Sequence, residues 1–284
     1  MNNKRVLSYA EYHNESMEAG DVDPAVHCLT YLAERYELNI EQRYWVAYLY
    51  GLSYCASTVF YMYNEFPDYE CVDVGRLSRW WKDKKKNCIF QTDRLRLKSN
   101  DQVVDSFVSY RKNAGRSQQD YFVCENWRET YKKIERIKYF GRFSLFNYLD
   151  VLNAITDVNH KPDHLNMIEA VSCRNGLAYA IGRPDLVDKK ITKQDAMLLH
   201  NEFVGLLRSQ NGNVFQIETT LCAYKKYMRG ARYVGFYLDR MHSEIKKMAK
   251  EVDEGVYWDV LWQYREETYN KKYLAEFNGA QYYS

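Results

Sequence analysis

The chain has 284 residues, enough for one large domain or two modest ones. With 46% hydrophobic residues and a net charge of +2, it has ample material for a core and no global charge with which to bind polyanions. The seven Cys form no CxxC pair and the six His no HxxxH, which argues against a disulfide scaffold, a zinc ribbon or any metal site.

No cofactor is indicated. The start, MNNKRVLSYAEY, carries no apolar signal segment, and no run reaches transmembrane length, so a soluble intracellular protein without membrane contact is expected. Charge is uneven. Residues 1–75 hold four Lys/Arg against twelve Asp/Glu, residues 76–98 nine against two, and residues 218–250 eight against three. Two local basic segments in a near-neutral chain suggest a polyanion-binding face. The 27 Tyr either stack on bases or replace Phe at half-buried helix positions, and the second reading covers most of them.

Only four Pro and 13 Gly punctuate the sequence, so long helices are expected. Asp23-Pro24 reads as an N-cap followed by proline at the first helical position. Asn39 and Gln42 make a capping pair for the next helix, which runs through residue 66 and is apolar almost all round. Gly51 and the small residues after it bend that helix or let another come close. Asp73 caps a short basic helix, VGRLSRWWKDKKK, and a less helical stretch, NCIFQTDRLRLKS, follows. Further helices are expected near 101–113, 117–137, 142–156 and 164–178. Thr192 with Asp195 opens one that runs to about Arg208. The chain closes with helices at about 215–229, 233–251 and 257–274. The simplest architecture is one mainly helical domain over 1–284. Its N-terminal lobe, about 1–75, is acidic, and a basic part spans about 76–265. With no GxxxxGK[ST] or GxGxxG, a nucleotide-binding sheet is not expected.

The densest chemistry lies between Gln216 and Arg240. Glu218, Cys222 and Lys225 are spaced four and three apart, so they share one helix face. A carboxylate and an ammonium so placed hold each other charged or shift each other's pKa. The plain alternative is a surface ion pair. Arg232-Tyr233 and Asp239-Arg240 lie seven and eight apart on the last basic helix, so they share a face and suit a phosphate clamp with Tyr stacking. Elsewhere, Asp93 is placed to orient Arg94 for a bidentate phosphate contact, with Arg96 beside it. Gly141-Arg142 opens a helix, whose exposed N–H groups favour anions. Arg174 and Asn175 are able to read a phosphate or a base edge, although Asn-Gly is equally a helix terminator. Each signal has a structural counterpart: a solvated charge run, a C-cap glycine, an intrahelical ion pair.

In their order along the chain, ERYELNIEQRYWVAYLYGLSYC, EFPD, RWW, FQTDRLRLKSN, YFGRFSLFNYL, SCRNGL, ETTLCAYKK and RYVGFYLDR resemble the phage amino acid:DNA transferases of thymidine hypermodification. These are related to the alpha-glutamyl/putrescinyl thymine pyrophosphorylases. The resemblance runs from about Tyr31 to Arg265. It implies a DNA-glycosylase-like helical fold, although no LPGVG-like hairpin turn is present here.

The resemblance also implies a setting. The partner is phage double-stranded DNA, in the cytoplasm of the infected bacterium, whose hydroxymethyluracil a separate kinase has phosphorylated. The co-substrate is an amino acid such as glycine, or a polyamine, whose nitrogen displaces the phosphate. The nucleotide would be flipped out for this. Arg94, Arg142, Arg174 and Lys225 would face the leaving phosphate. Glu218 or Asp93 would take the proton of the ammonium, and Arg232 or Arg240 would hold the amino acid carboxylate. Cys222 would add to ring C6 if the route is covalent; direct displacement needs no nucleophile. A glycosylase acting on a modified base and a non-catalytic DNA-binding scaffold are the competing readings.

Overall fold

The computed structural model describes residues 6–90, 100–122, 124–162, 165–210, 212–252 and 258–273. Asp93, Arg94 and Arg96 lie outside them. The described residues are mainly α, with no strand. In chain order the helices are α1 (Tyr9–Ala19), α2 (Pro24–Arg35), α3 (Ile40–Ser53), α4 (Ala56–Glu65), α5 (Val74–Lys84), α6 (Asn100–Ala114) and α7 (Gln118–Phe122). They continue with α8 (Trp127–Ile134), α9 (Arg142–Ile155), α10 (Val171–Ala180), α11 (Lys193–Ser209), α12 (Val214–Tyr227), α13 (Phe236–Glu251) and α14 (Trp258–Thr268).

Local side chains set many of the starts. Ser8 with Glu11, Asn39 with Gln42, Thr192 with Asp195 and Asn213 with Gln216 all form reciprocal capping boxes. Asp73 accepts from the Arg76 N–H at 2.6 Å and opens α5. Two expected helices are split. The one over 40–66 stops at Tyr54, whose φ of +49° ends α3 before α4 restarts at Ala56. The one over 117–137 is α7 and α8, because Asn126 accepts from the Glu129 N–H and starts a new helix. Conversely, Asn175-Gly176 terminates nothing: α10 runs through both to Ala180.

The chain divides into two compact units. The first comprises Met1–Pro24, Pro162–Arg240 and Tyr269–Ser284; the second comprises Ala25–Lys161 and Met241–Thr268.

In the second unit α3 is buried from Tyr44 to Ser53. At Gly51 it meets the start of α9 so closely that a Cβ would lie 2.3 Å from the Phe140 ring and 2.9 Å from the Ser144 carbonyl oxygen. Around it is an aromatic cluster: Trp45 stacks on Tyr48, Tyr48 lies 4.0 Å from Tyr110 between centroids, and Tyr110 stacks on Phe122. The polar tips are satisfied. The Tyr48 hydroxyl bonds Ser106 Oγ, the Tyr110 hydroxyl donates to Gln118 Oε1, and Trp45 Nε1 donates to the Phe66 carbonyl.

In the first unit α10 crosses α12 at Gly176, where a Cβ would lie 1.8 Å from the Leu221 carbonyl oxygen. α1 docks on α12 through Thr220, whose hydroxyl lies 2.8 Å from the Tyr9 hydroxyl and 3.0 Å from His13 Nδ1. The chain ahead of α1 is tied down twice: Leu7 N donates to the Tyr227 hydroxyl, and the Tyr224 hydroxyl donates to the Leu7 carbonyl.

The backbone contact at Gly176 contrasts with Gly205 of α11, where an added Cβ would meet no other part of the protein within 4 Å. Gly176→Ala is expected to cost about 3 kcal/mol or more by overpacking, whereas Gly205→Ala is expected to stabilise by about 0.5–1 kcal/mol through helix propensity. Urea unfolding of both variants checks this; a tolerated Gly176→Ala would mean that α10 and α12 do not touch at that point.

Candidate functional site

The site is built on α12. Glu218 and Cys222, one turn apart, are in contact: the Cys222 thiol donates to Glu218 Oε1 at 3.1 Å. Burial, and then the Glu218 charge, hold that thiol well above its ordinary pKa. It is therefore a proton donor to the carboxylate and not a thiolate.

Facing Glu218 is the short loop between α1 and α2, which sequence reasoning read only as a helix start. Pro24 does open α2. Asp23, however, takes φ +50°, a left-handed conformation that costs a non-glycine residue about 1–3 kcal/mol. It is buried, and its Oδ2 makes no hydrogen bond with any described residue. Burial pushes its carboxyl up, Glu218 pushes it the same way, and a hydrogen bond with Thr219 of α12 pulls it back.

Asp21, two residues earlier, is 2% exposed. Its Oδ1 accepts from the Leu238 N–H at 2.9 Å, and its Oδ2 makes no hydrogen bond with any described residue. Burial raises this carboxyl to about 7, against the pull of the Leu238, Gly235 and Tyr237 N–H groups and the Arg232 charge. Tyr237 is pushed up to about 12 by burial and also feels Arg232, Cys222 and Asp23. The Arg232 guanidinium lies over two rings, 4.4 Å from the centroid of Phe236 and 4.5 Å from that of Tyr237. Tyr12 of α1 faces Asp21, Tyr237 and Arg232. Of the residues singled out in sequence, then, Glu218, Cys222 and Arg232 come together. Asp21, Asp23, Tyr12 and Tyr237 join them.

A cationic patch lies in the same unit. Burial and the charges of Arg232, Lys225, Arg229 and Arg240 lower the pKa of the Lys226 ammonium. Arg229 pairs with Asp188, which stands at φ +56° and also accepts from Asn175 Nδ2 at 2.7 Å. The bond is reciprocal, because Asn175 Oδ1 accepts from the Asp188 N–H. Arg174 is buried and donates to the carbonyls of Met167, Ile168 and Lys189, so it ties two loops together. Tyr233 precedes α13 and does not share its face with Asp239; instead its hydroxyl donates to Asp239 Oδ2 at 2.5 Å across the entry turn.

In the second unit Arg142 is exposed at the first position of α9, which has no side-chain cap. The basic segment contributes a cavity of about 480 Å³ lined by Lys84, Lys86, Asn87 and Cys88 together with Lys247 and Glu251. Its wall is held by Thr58, which bonds both the carbonyl and the N–H of Ile89 at 2.8 Å.

The family model for amino acid:DNA transferases matches residues 17–233, which span the Asp21–Asp23 loop, α12 and Arg232. The chain belongs to the amino acid:DNA transferase family. A serinyltransferase of Salmonella phage ViI is 25% identical over 280 residues, covering 86% of this chain and 67% of that protein. This transferase shows, among the described residues, no cluster of three or more His, Cys, Asp or Glu side chains set to hold a metal ion. No described helix is long and apolar enough to cross a membrane.

Asp21 gives the site a pH signature. The folded chain keeps its proton to about pH 7, whereas an unfolded aspartate releases it near 3.8. The folded state binds more protons in between, so stability falls as pH rises through that window. Asp21→Asn keeps the acceptor for Leu238 and removes the titration. It is expected to match the parent near pH 3.5 and to exceed it by on the order of 4 kcal/mol at pH 8. Unfolding measured at both pH values decides; a pH-independent difference would show that Asp21 is not held protonated.

Proposed function

We propose that this transferase joins the nitrogen of an amino acid to the C5 methylene carbon of phosphorylated hydroxymethyluracil in phage DNA, releasing the phosphate. The observation that carries this is the meeting of the buried carboxyls of Asp21 and Asp23 with Glu218 and Arg232, within the residues matched by the family model, in the same unit as the cationic patch around Lys226.

The two halves suit the two needs of the displacement. A carboxylate takes a proton from the ammonium, and cations receive the charge of the departing phosphate. Lys225 and Arg240 are cations beside Lys226 that suit the phosphate, and Arg229 pairs with Asp188. Arg232, its plane held over Phe236 and Tyr237, suits the amino acid carboxylate. Arg174 acts at one remove, by fixing loops. A thiol that donates to Glu218 favours direct displacement over addition of Cys222 to the ring. In the second unit the lysine-lined cavity suits phosphodiesters of the DNA backbone, contacts that position without reading sequence. The phage relative's name makes serine the first amino acid to try, ahead of glycine.

Nucleoside mass spectrometry tests the reaction. Duplex DNA carrying phosphomethyluracil is incubated with the protein and serine, glycine or polyamines, then digested. The expected product has lost phosphate and gained an amino acid. Free base would indicate a glycosylase, and unchanged nucleosides a binding protein. Cys222→Ser is expected to retain most of the rate; a loss of about 100-fold or more would restore the covalent route.

A separate measurement tests the DNA interaction. Replacing Lys84, Lys86 and Lys247 by Ala is expected to flatten the slope of log affinity against log salt by roughly 0.9 for each phosphate that the lysines neutralise. An unchanged slope places the DNA elsewhere.

A further inference from the structure

We propose that Asp23, paired with Glu218, is the group that takes the proton from the incoming amine. This rests on the transferase reading and names a residue within it.

Three observations point to Asp23. First, its Oδ2 is shielded from solvent and makes no hydrogen bond with any described residue. Buried carboxylate oxygens are normally paired, and leaving one bare costs stability. Second, the residue is held in a left-handed backbone conformation that side chains rarely adopt. Strain of this kind persists where the surroundings over-determine it, and it gathers at functional sites. Third, the neighbours fix the carboxylate without consuming both its oxygens. Thr219 bonds it, and Glu218, the preceding residue on α12, acts on it by charge.

Two carboxyls in a buried setting that feel each other's charge do not both ionise readily; with the pair's proton on Glu218, Asp23 is the ionised member able to accept one from the amine. Glu218 already accepts from the Cys222 thiol. Asp23 keeps an open lone pair at Oδ2. The other groups facing the pair also disfavour a second negative charge or leave it unsolvated. Cys222 and Tyr9 face Glu218, Tyr237 faces Asp23, and all three hold their protons. Arg232 acts on Tyr237 and on Asp21, the other carboxyl of the same loop.

An amino acid reaches the site as an ammonium and cannot attack in that form. One proton passes from nitrogen to Asp23. The freed lone pair forms the C–N bond to the methylene carbon as the C–O bond breaks, and its electrons leave on the phosphate. The proton then passes from Asp23 to the departing phosphate, which restores the carboxylate. A base whose affinity for protons is raised toward that of the amine is suited to this step.

Asp23→Asn is the main test. Asn tolerates positive φ and removes a buried charge, so the variant is expected to fold. With phosphomethyluracil duplex and serine, kcat is expected to fall more than 100-fold at pH 7, with DNA affinity and the KM for serine changed less than threefold. The residual rate should climb tenfold per pH unit as free amine accumulates, where the parent levels off. Glu218→Gln, folded independently, should shift the parent's pH profile to lower pH. A parental rate and profile in Asp23→Asn overturn the proposal.

Infrared titration of the unliganded protein gives a readout independent of transfer. Measured in an Asp21→Asn background, a protonated carboxyl band is expected at pH 7 and should vanish in both Asp23→Asn and Glu218→Gln. Absence of that band overturns the pair even if the parent modifies no DNA, an outcome that would instead count against the substrate assignment.

Discussion

Four consecutive residues of α12 divide the work of the first unit, and the contact at Leu221 governs the other three. Its carbonyl lies against Gly176 of α10 at a distance that excludes any side chain. This locks the rotation of α12 about its axis. Successive residues of a helix point about 100° apart, so the locked rotation assigns each neighbour a direction. Thr220 turns to Tyr9 and His13 of α1, Thr219 turns to Asp23, and Glu218 lies with Cys222 beside the same loop. A glycine in mid-helix weakens the isolated helix. Here it buys the close approach on which the geometry of the carboxylates depends.

The periodic and capping signals made most of the helices legible. Asn39, Asp73 and Thr192 open helices as their side chains dictate, and Gly51 admits a neighbour as small residues do. The breaks were less legible. Tyr54 carries no local mark of a residue that would stop a helix at φ +49°, and Asn126 sits in a polar stretch that reads as continuous. The same holds in the site. Glu218 and Cys222 are visible because helix spacing predicts their contact. The Asp21–Asp23 loop is not, since Asp before Pro is also the ordinary opening of a helix. What separates the two readings is burial by α12 and α13 together with a positive φ, and both arise from tertiary packing. The repeated carboxylate in Asp-Val-Asp-Pro, straddling a buried Val22, is the signal that was present.

The tyrosines carry a related lesson. Tyr12, Tyr48, Tyr110 and Tyr148 are all fully buried, and their rings fill the space phenylalanine would. The hydroxyls of Tyr48 and Tyr110 then join Ser106 and Gln118, residues that in an apolar core would have no partner. These four tyrosines therefore serve the interior.

The least expected feature of the site is the role of its cysteine. A thiol on the same helix face as a carboxylate and a lysine suggests an activated nucleophile. Activation requires the thiolate, and burial beside Glu218 moves Cys222 in the opposite direction. Its proton is instead engaged with Glu218 Oε1. The consequence falls on the carboxylates. With one oxygen of Glu218 occupied by a donor, the open lone pair is the one at Asp23 Oδ2. The asymmetry of the pair thus comes from the Cys222 hydrogen bond to Glu218. That matters for the proton transfer: a cation paired to the base would weaken it, whereas a thiol donor carries no charge.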